Sequence, residues 1–221
     1  MEIITLRRIS LTIRILYPFW MIIGMVALMY IPSFFYVTDN PAETARNIRS
    51  NETLFRLGIL ANLTTQLLAI IIPILLYWLF SSVSRSQAQL MLLLNLIGVP
   101  IAMYGNVHML QAITMLERPD QMMEHINMSH FGITIAYIFW GLWLFPLGSL
   151  SIRSGYFPKI IGYFLYIAGI GYLIGALFAI LFPDVAHVSD ITEILTIGEV
   201  LFILWIVIKG PKLPTNLIYN N

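Results

Sequence analysis

Apolar residues along this chain gather into six long runs with short polar connectors between them. The runs are Ile15–Val37, Leu57–Phe80, Leu90–Ile113, Ser129–Leu150, Ile160–Phe182 and Ile191–Ile208. A helix rises about 1.5 Å per residue, so about 20 apolar residues cross a hydrocarbon core roughly 30 Å thick. The pattern predicts an all-α fold, a polytopic membrane helix bundle of six transmembrane helices, as a single integral membrane domain over residues 1–221. No connector is long enough for a soluble domain of ordinary size.

Local signals add detail. In the first connector, Thr38–Arg56, Asn40-Pro41-Ala42-Glu43 has the form of a helix start, with Asn as cap and Pro in the first helical position. It predicts a short external surface helix near 41–49, with an irregular loop as the equal alternative. The third connector, Thr114–Met128, carries a turn signal at Arg118-Pro119-Asp120. Pro18, Pro32, Pro73, Pro100 and Pro146 fall inside or at the edge of spans, where each removes a backbone hydrogen bond and favours a kink. Such prolines are ordinary in membrane helices, which favours simple irregularity over a hinge around a cavity. Gly171 and Gly175, with Ala168 one turn earlier, form a small-residue face. That face suits close packing inside the bundle, or a homo-oligomer contact with a second copy.

Composition agrees with the pattern. Hydrophobic residues make up 59% of the chain and charged residues 10%, against about 25% charged in soluble domains. Cysteine is absent, which excludes thiol catalysis, disulfides and thiolate metal sites. A net charge of +1 gives no reason to expect a nucleic-acid partner. Arg7, Arg8 and Arg14 precede a first run too long for a cleaved signal, so that run reads as a retained helix that also directs insertion.

Charge also orients the bundle. With six spans, Arg7, Arg8, Arg14, Arg85, Arg153, Lys159, Lys209 and Lys212 share one side, and Glu2 is the only acid there. Arg46, Arg49, Arg56 and Arg118 lie on the other side with most of the acids. Basic loops stay cytoplasmic, so both termini are expected in the cytoplasm.

Polar side chains at depth are costly and face the bundle interior. Glu199 is the only acid near the middle of a span, with Thr192 and Thr196 on its face. Asn62 and Gln66 sit one turn apart in the second span, His108 shares a face with Tyr104 and Gln111 in the third, and His130 opens the fourth. Asn95 lies on the inner half of the third span. Together these predict an outward-facing polar crevice centred on Glu199, with Asn62, Gln66, His108, Gln111, His130 and Thr196 as its ligand-binding residues. The bland alternative is that the amides and histidines bond helix to helix. A lone buried acid is neutral or paired, so Glu199 is expected to keep its proton or to bond His108, Gln66 or Asn62. A metal held by His108, His130 and Glu199 finds no supporting spacing, such as HExxH or an i,i+4 histidine pair. No metal and no cofactor is expected. GxSxG, GxGxxG and P-loop patterns do not occur.

One stretch goes further. Ile138-Phe139-Trp140-Gly141-Leu142-Trp143-Leu144-Phe145-Pro146-Leu147-Gly148 is followed by Arg153-Ser154-Gly155-Tyr156-Phe157-Pro158-Lys159 and then Ala168-Gly169-Ile170-Gly171-Tyr172-Leu173. With Glu52–Ile59 and Gly198–Trp205, it resembles a widespread bacterial family of multi-pass membrane proteins catalogued as a domain of unknown function, DUF4386. The resemblance covers nearly the whole chain. It implies one membrane domain of about this length in the bacterial inner (cytoplasmic) membrane, and it supplies no activity or catalytic residues.

Three functions compete. The first is binding or transport of a small molecule or lipid in the crevice. The second is an accessory or structural subunit held through the loops or the glycine face. The third is an intramembrane enzyme acting on a lipophilic substrate, which would need Glu199 and His108 in hydrogen-bond reach or one water apart. Binding or transport ranks first and enzyme last. Besides the lipid bilayer, the expected partner is a small-molecule or lipid ligand.

Overall fold

Backbone polar groups need internal partners in a hydrocarbon core, and helix supplies them within one segment. The computed structural model describes residues 3–182 and 187–213, and no strand occurs among them. Glu2 lies outside the described residues. In chain order the elements are α1 (Ile3–Met25), a π-helical turn (Val26–Tyr30), α2 (Ile31–Ser33), α3 (Pro41–Ser50), α4 (Glu52–Phe80), α5 (Arg85–Thr114), α6 (Pro119–Ser154), α7 (Lys159–Leu181) and α8 (His187–Ile208). Five stretches are long and apolar enough to cross a membrane: Thr5–Ser33, Glu52–Phe80, Arg85–Thr114, Pro119–Ser154 and Lys159–Leu181. The sixth apolar run falls on α8, whose described apolar part, Ile194–Ile208, is shorter.

Helices outrun the apolar runs that predict them. The expected connector Thr114–Met128 shrinks to Met115–Arg118, because α6 already begins at Pro119. Hydropathy marks where a helix meets lipid, whereas the helix itself continues as long as one face can be buried. In the first turns of α6, Met122 and Ile126 are fully buried and supply that face.

The chain divides into two compact units. The first comprises residues 1–18, 70–98 and 137–221, and the second 19–69 and 99–136.

In the first unit, glycine recurs every seven residues, at Gly141, Gly148, Gly155, Gly162 and Gly169. Seven residues are nearly two helical turns, so the glycines line one stripe on α6 and one on α7. Gly155, at φ +68°, turns the chain between the two helices in the left-handed conformation that favours glycine. Folding back about that turn pairs Gly148 with Gly162 and Gly141 with Gly169. A Cβ on Gly162 would stand 2.7 Å from the Gly148 carbonyl oxygen, and one on Gly169 would stand 2.9 Å from that of Gly141. The α7–α8 seam repeats the device. A Cβ on Gly171 would meet Leu195 Cβ at 2.6 Å, one on Gly175 would meet Thr192 Oγ1 at 3.2 Å, and one on Gly198 would collide with the Phe164 carbonyl oxygen. The face of Gly171 and Gly175 is thus occupied by α8 of the same chain. Tyr156 and Phe157, in the loop after Gly155, pack on Phe80, with ring centroids 6.1 and 6.0 Å away. Arg14 donates to the Val207 carbonyl through Nε (3.1 Å) and Nη2 (3.0 Å), closing the C-terminal end of α8, where a cation also complements the negative end of the helix dipole.

In the second unit, α3 forms as its cap signal predicts. Asn40 Oδ1 accepts from the Glu43 backbone N–H at 3.0 Å, and its Nδ2 donates to the Glu43 carboxylate at 3.0 Å. Ala45 and Ile48 of α3 join a core with Phe35, Phe55, Ile59, Ala112, Met122 and Ile126. Arg49 ties α3 to Glu117 at 2.8 Å. The π-helical turn precedes Pro32, whose ring would clash with the Leu28 carbonyl in a regular α-helix. The wider turn relieves that conflict, and the Ile31 N–H reaches back to Val26.

Candidate functional site

Three clusters gather most of the polar side chains at depth, each inside one unit; Asn95, 1% exposed and with no hydrogen-bond partner for its Oδ1 among the described residues, stands outside them. The first is an amide cleft in the second unit. Gln66 Nε2 donates to Asn62 Oδ1 at 3.3 Å, joining residues one turn apart on α4. Asn62 lines a cleft of about 40 Å³ together with Tyr36, Asn106 and Met109, closed by apolar Ile31 and Phe55. That volume takes about three water-sized groups. Asn106 is 4% exposed and Gln66 1%. Asn106 Nδ2 donates to the Ala102 carbonyl at 3.3 Å. Neither Asn106 Oδ1 nor Gln66 Oε1 finds a hydrogen-bond partner among the described residues. The Tyr36 hydroxyl donates to Met109 Sδ at 3.7 Å, and the His130 ring stands edge-on to Tyr36 at 5.8 Å.

The second cluster is a histidine pair. α5 and α6 form an antiparallel hairpin across a four-residue link. His108 lies six residues before the end of α5 and His125 six after the start of α6, and their Nδ1 atoms are 3.2 Å apart. The Tyr104 ring meets His108 edge-on at 5.0 Å. Gln111, one turn before the end of α5, has an exposed side chain.

The third cluster is in the first unit. Glu199 of α8 accepts a hydrogen bond from the Tyr172 hydroxyl of α7 at 3.0 Å. Tyr137 stacks obliquely on Tyr172 with centroids 5.4 Å apart, and the fully buried Tyr17 stands edge-on to Phe202 at 6.3 Å. The glycine seam produces this contact: without a side chain on Gly198, α8 sits close enough to α7 for the phenol to reach the carboxyl. Thr196 lies on α8 one turn before Glu199, and both are partly buried.

The structure therefore pairs Asn62 with Gln66, as their spacing predicts. It gives Glu199 to Tyr172 rather than to an amide or histidine, and His108 to His125. The sequence reading assigned no site role to Tyr172, His125, Asn106 or Tyr36. Tyr172 sits inside the glycine-rich family-like segment, and hairpin counting from the Arg118-Pro119 turn reaches His125. Among the described residues, no group of three or more His, Asp or Glu side chains is placed to hold a metal.

Polar clusters embedded in long apolar helices define the class, an all-helical protein with five candidate membrane spans among the described residues. Residues 15–210 match the family model "Domain of unknown function (DUF4386)", and the chain belongs to that family. It is 33% identical over 150 residues to an uncharacterized protein of Archaeoglobus fulgidus, covering 66% of this chain and 80% of the relative. No solved structure matches.

Proposed function

We propose that this chain is a six-span protein of the bacterial cytoplasmic membrane, with both termini in the cytoplasm, and that it binds a small amphipathic molecule in the amide cleft of its second unit. One observation carries the binding reading. Asn106 Oδ1 and Gln66 Oε1 are buried acceptors with no hydrogen-bond partner among the described residues. A buried acceptor left unmade costs about 1–3 kcal/mol, so two of them are an expense that packing alone does not explain. A ligand with a hydroxyl or amine head and an apolar body offers a donor for Asn106 and apolar surface for Ile31, Phe55 and Met109. Asn62 keeps the binding role expected of it and Tyr36 and Asn106 join it in the lining, while Gln66 and His130 stand behind the lining against Asn62 and Tyr36. Glu199 and Thr196 are the polar centre of the other unit, with Tyr172 as the third member.

Native mass spectrometry of the detergent-purified full chain tests this reading. The expected result is a retained small molecule above the polypeptide mass, lost in Asn106→Leu while the variant's melting temperature holds or rises. Bare polypeptide in both proteins, or equal retention in both, overturns it. The orientation is tested separately: a reporter fused after Asn221 that proves active outside the cytoplasm refutes both the topology and the span count.

A further inference from the structure

We propose that His108 and His125 form a two-histidine binding site for a divalent transition-metal ion, Cu²⁺ or Zn²⁺, independent of the amide cleft. The hairpin register places the two rings. Gly105 of α5 meets Ser129 of α6, where a Cβ would stand 3.0 Å from Ser129 Oγ, and a Cβ on Gly132 would stand 3.5 Å from the Ile101 carbonyl oxygen. These pairs have residue numbers adding to 234 and 233, and 108 with 125 adds to 233. The two histidines thus stand opposite each other because small residues on both sides of the same hairpin hold the helices together.

The separation suits a shared ion. Two nitrogen ligands at about 2.0–2.1 Å lie about 3.3–3.4 Å apart on a tetrahedral ion such as Zn²⁺ and about 2.8–3.0 Å apart at neighbouring corners of a tetragonal Cu²⁺. The Nδ1 atoms stand 3.2 Å apart, between the two, so only a slight shift and rotation of the rings is needed for either ion. Without an ion, that distance requires one Nδ1 to carry a proton and the other to accept it. On binding, that proton moves by way of water to the Nε2 of its own ring, and two neutral imidazoles present two lone pairs with no net proton lost. Tyr104, edge-on to His108, limits the rotation of that ring.

Access and field favour a cation as well. Both histidines are only partly buried. Asp39, Asp120 and Glu124 line a hollow of about 360 Å³ in the same unit, and clustered acids raise the local concentration of cations. No third His, Asp or Glu among the described residues completes the set, so water fills the remaining positions. Two protein ligands make an exchangeable site rather than a structural one. Imidazole suits copper and zinc, and copper binds more tightly in the usual order of divalent ions.

Cu²⁺ alone is the probe. Full-length protein in detergent, without a polyhistidine tag, is titrated and followed by electron paramagnetic resonance, including the pulsed form that counts imidazoles. The expected result is one Cu²⁺ per chain bound by two imidazoles, falling to one imidazole with at least a tenfold weaker Kd in His108→Ala and in His125→Ala. His130→Ala and His187→Ala, which remove the chain's other two histidines, leave the signal unchanged. A wild-type spectrum with one imidazole or none overturns the proposal even if a variant fails to fold. So does two-imidazole binding that survives loss of either His108 or His125. The ligand-retention assay on Asn106→Leu is unaffected by either result, so the two readings fail separately.

Discussion

Removing the Tyr172 hydroxyl should cost more than replacing the Glu199 carboxyl with an amide. The Tyr172 hydroxyl donates to Glu199 at 3.0 Å, and both side chains are partly buried. Tyr172→Phe deletes the donor and keeps the ring, including its contact with Tyr137. Hydrogen bonds between membrane helices are worth roughly 0.6–1.7 kcal/mol, and stranding the carboxyl adds part of its desolvation cost, so a loss of about 1–2 kcal/mol is expected. Glu199→Gln preserves an oxygen that accepts from the phenol and should cost well under about 1 kcal/mol. Glu199→Leu strands the phenol instead, for about 1–2 kcal/mol, and combining it with Tyr172→Phe removes both polar partners and recovers much of either loss. Unfolding in mixed micelles, followed by tryptophan fluorescence, yields all four stabilities. For a chain of this size about 1–2 kcal/mol corresponds to about 2–8 °C in Tm. Single losses that simply add in the double variant, within about 0.5 kcal/mol, refute the pairing. A Glu199→Gln loss larger than that of Tyr172→Phe refutes the view that Glu199 is held as an acceptor.

Other substitutions test the frame around the clusters. Gly198→Ala drives a methyl into the Phe164 carbonyl, an overpacking cost of about 1–3 kcal/mol or more, visible as a lower melting temperature. Gly155→Ala meets no neighbouring atom, so its loss of about 1–2 kcal/mol reflects only the left-handed backbone, and Gly155→Asn should recover part of it. Asn40→Ala removes the cap of α3 for about 1 kcal/mol, and proteolysis near residues 37–50 should speed up while the rest of the chain stays resistant.

Much of the fold could be read from hydropathy because lipid imposes a length and a period on whatever crosses it. Five runs became helices long and apolar enough to span, and the Asn40-Pro41 cap became a helix start. The helix ends were harder. The segment from Pro119 to Met128 is polar enough to read as a loop, yet it folds as helix because Met122 and Ile126 bury one face. The seven-residue glycine rhythm from Gly141 to Gly169 was present in the sequence, and its turn at Gly155 announces the hairpin once the period is noticed. The partners of polar residues were legible only within a single helix. Asn62 and Gln66 follow from spacing, whereas Tyr172 with Glu199 and His108 with His125 depend on the register between two helices, which hydropathy does not specify.

That register separates structural polarity from functional polarity. Glu199 is the most costly side chain at depth, and the α7–α8 glycine seam brings it a hydrogen bond, so a packing explanation already covers part of its presence. The amides around the cleft are cheaper singly but worse served than Glu199: the nitrogens of Gln66 and Asn106 are bonded, and their oxygens, like that of Asn95 in the first unit, are not. Leucine at position 106 would fill similar space with no acceptor to strand, and the chain carries asparagine there instead. A group kept where an apolar one would be more stable points to work done in another state, here one with a donor in the cleft. Stability and ligand retention should therefore move in opposite directions in Asn106→Leu, and together in Tyr172→Phe, where retention falls only as far as folding does.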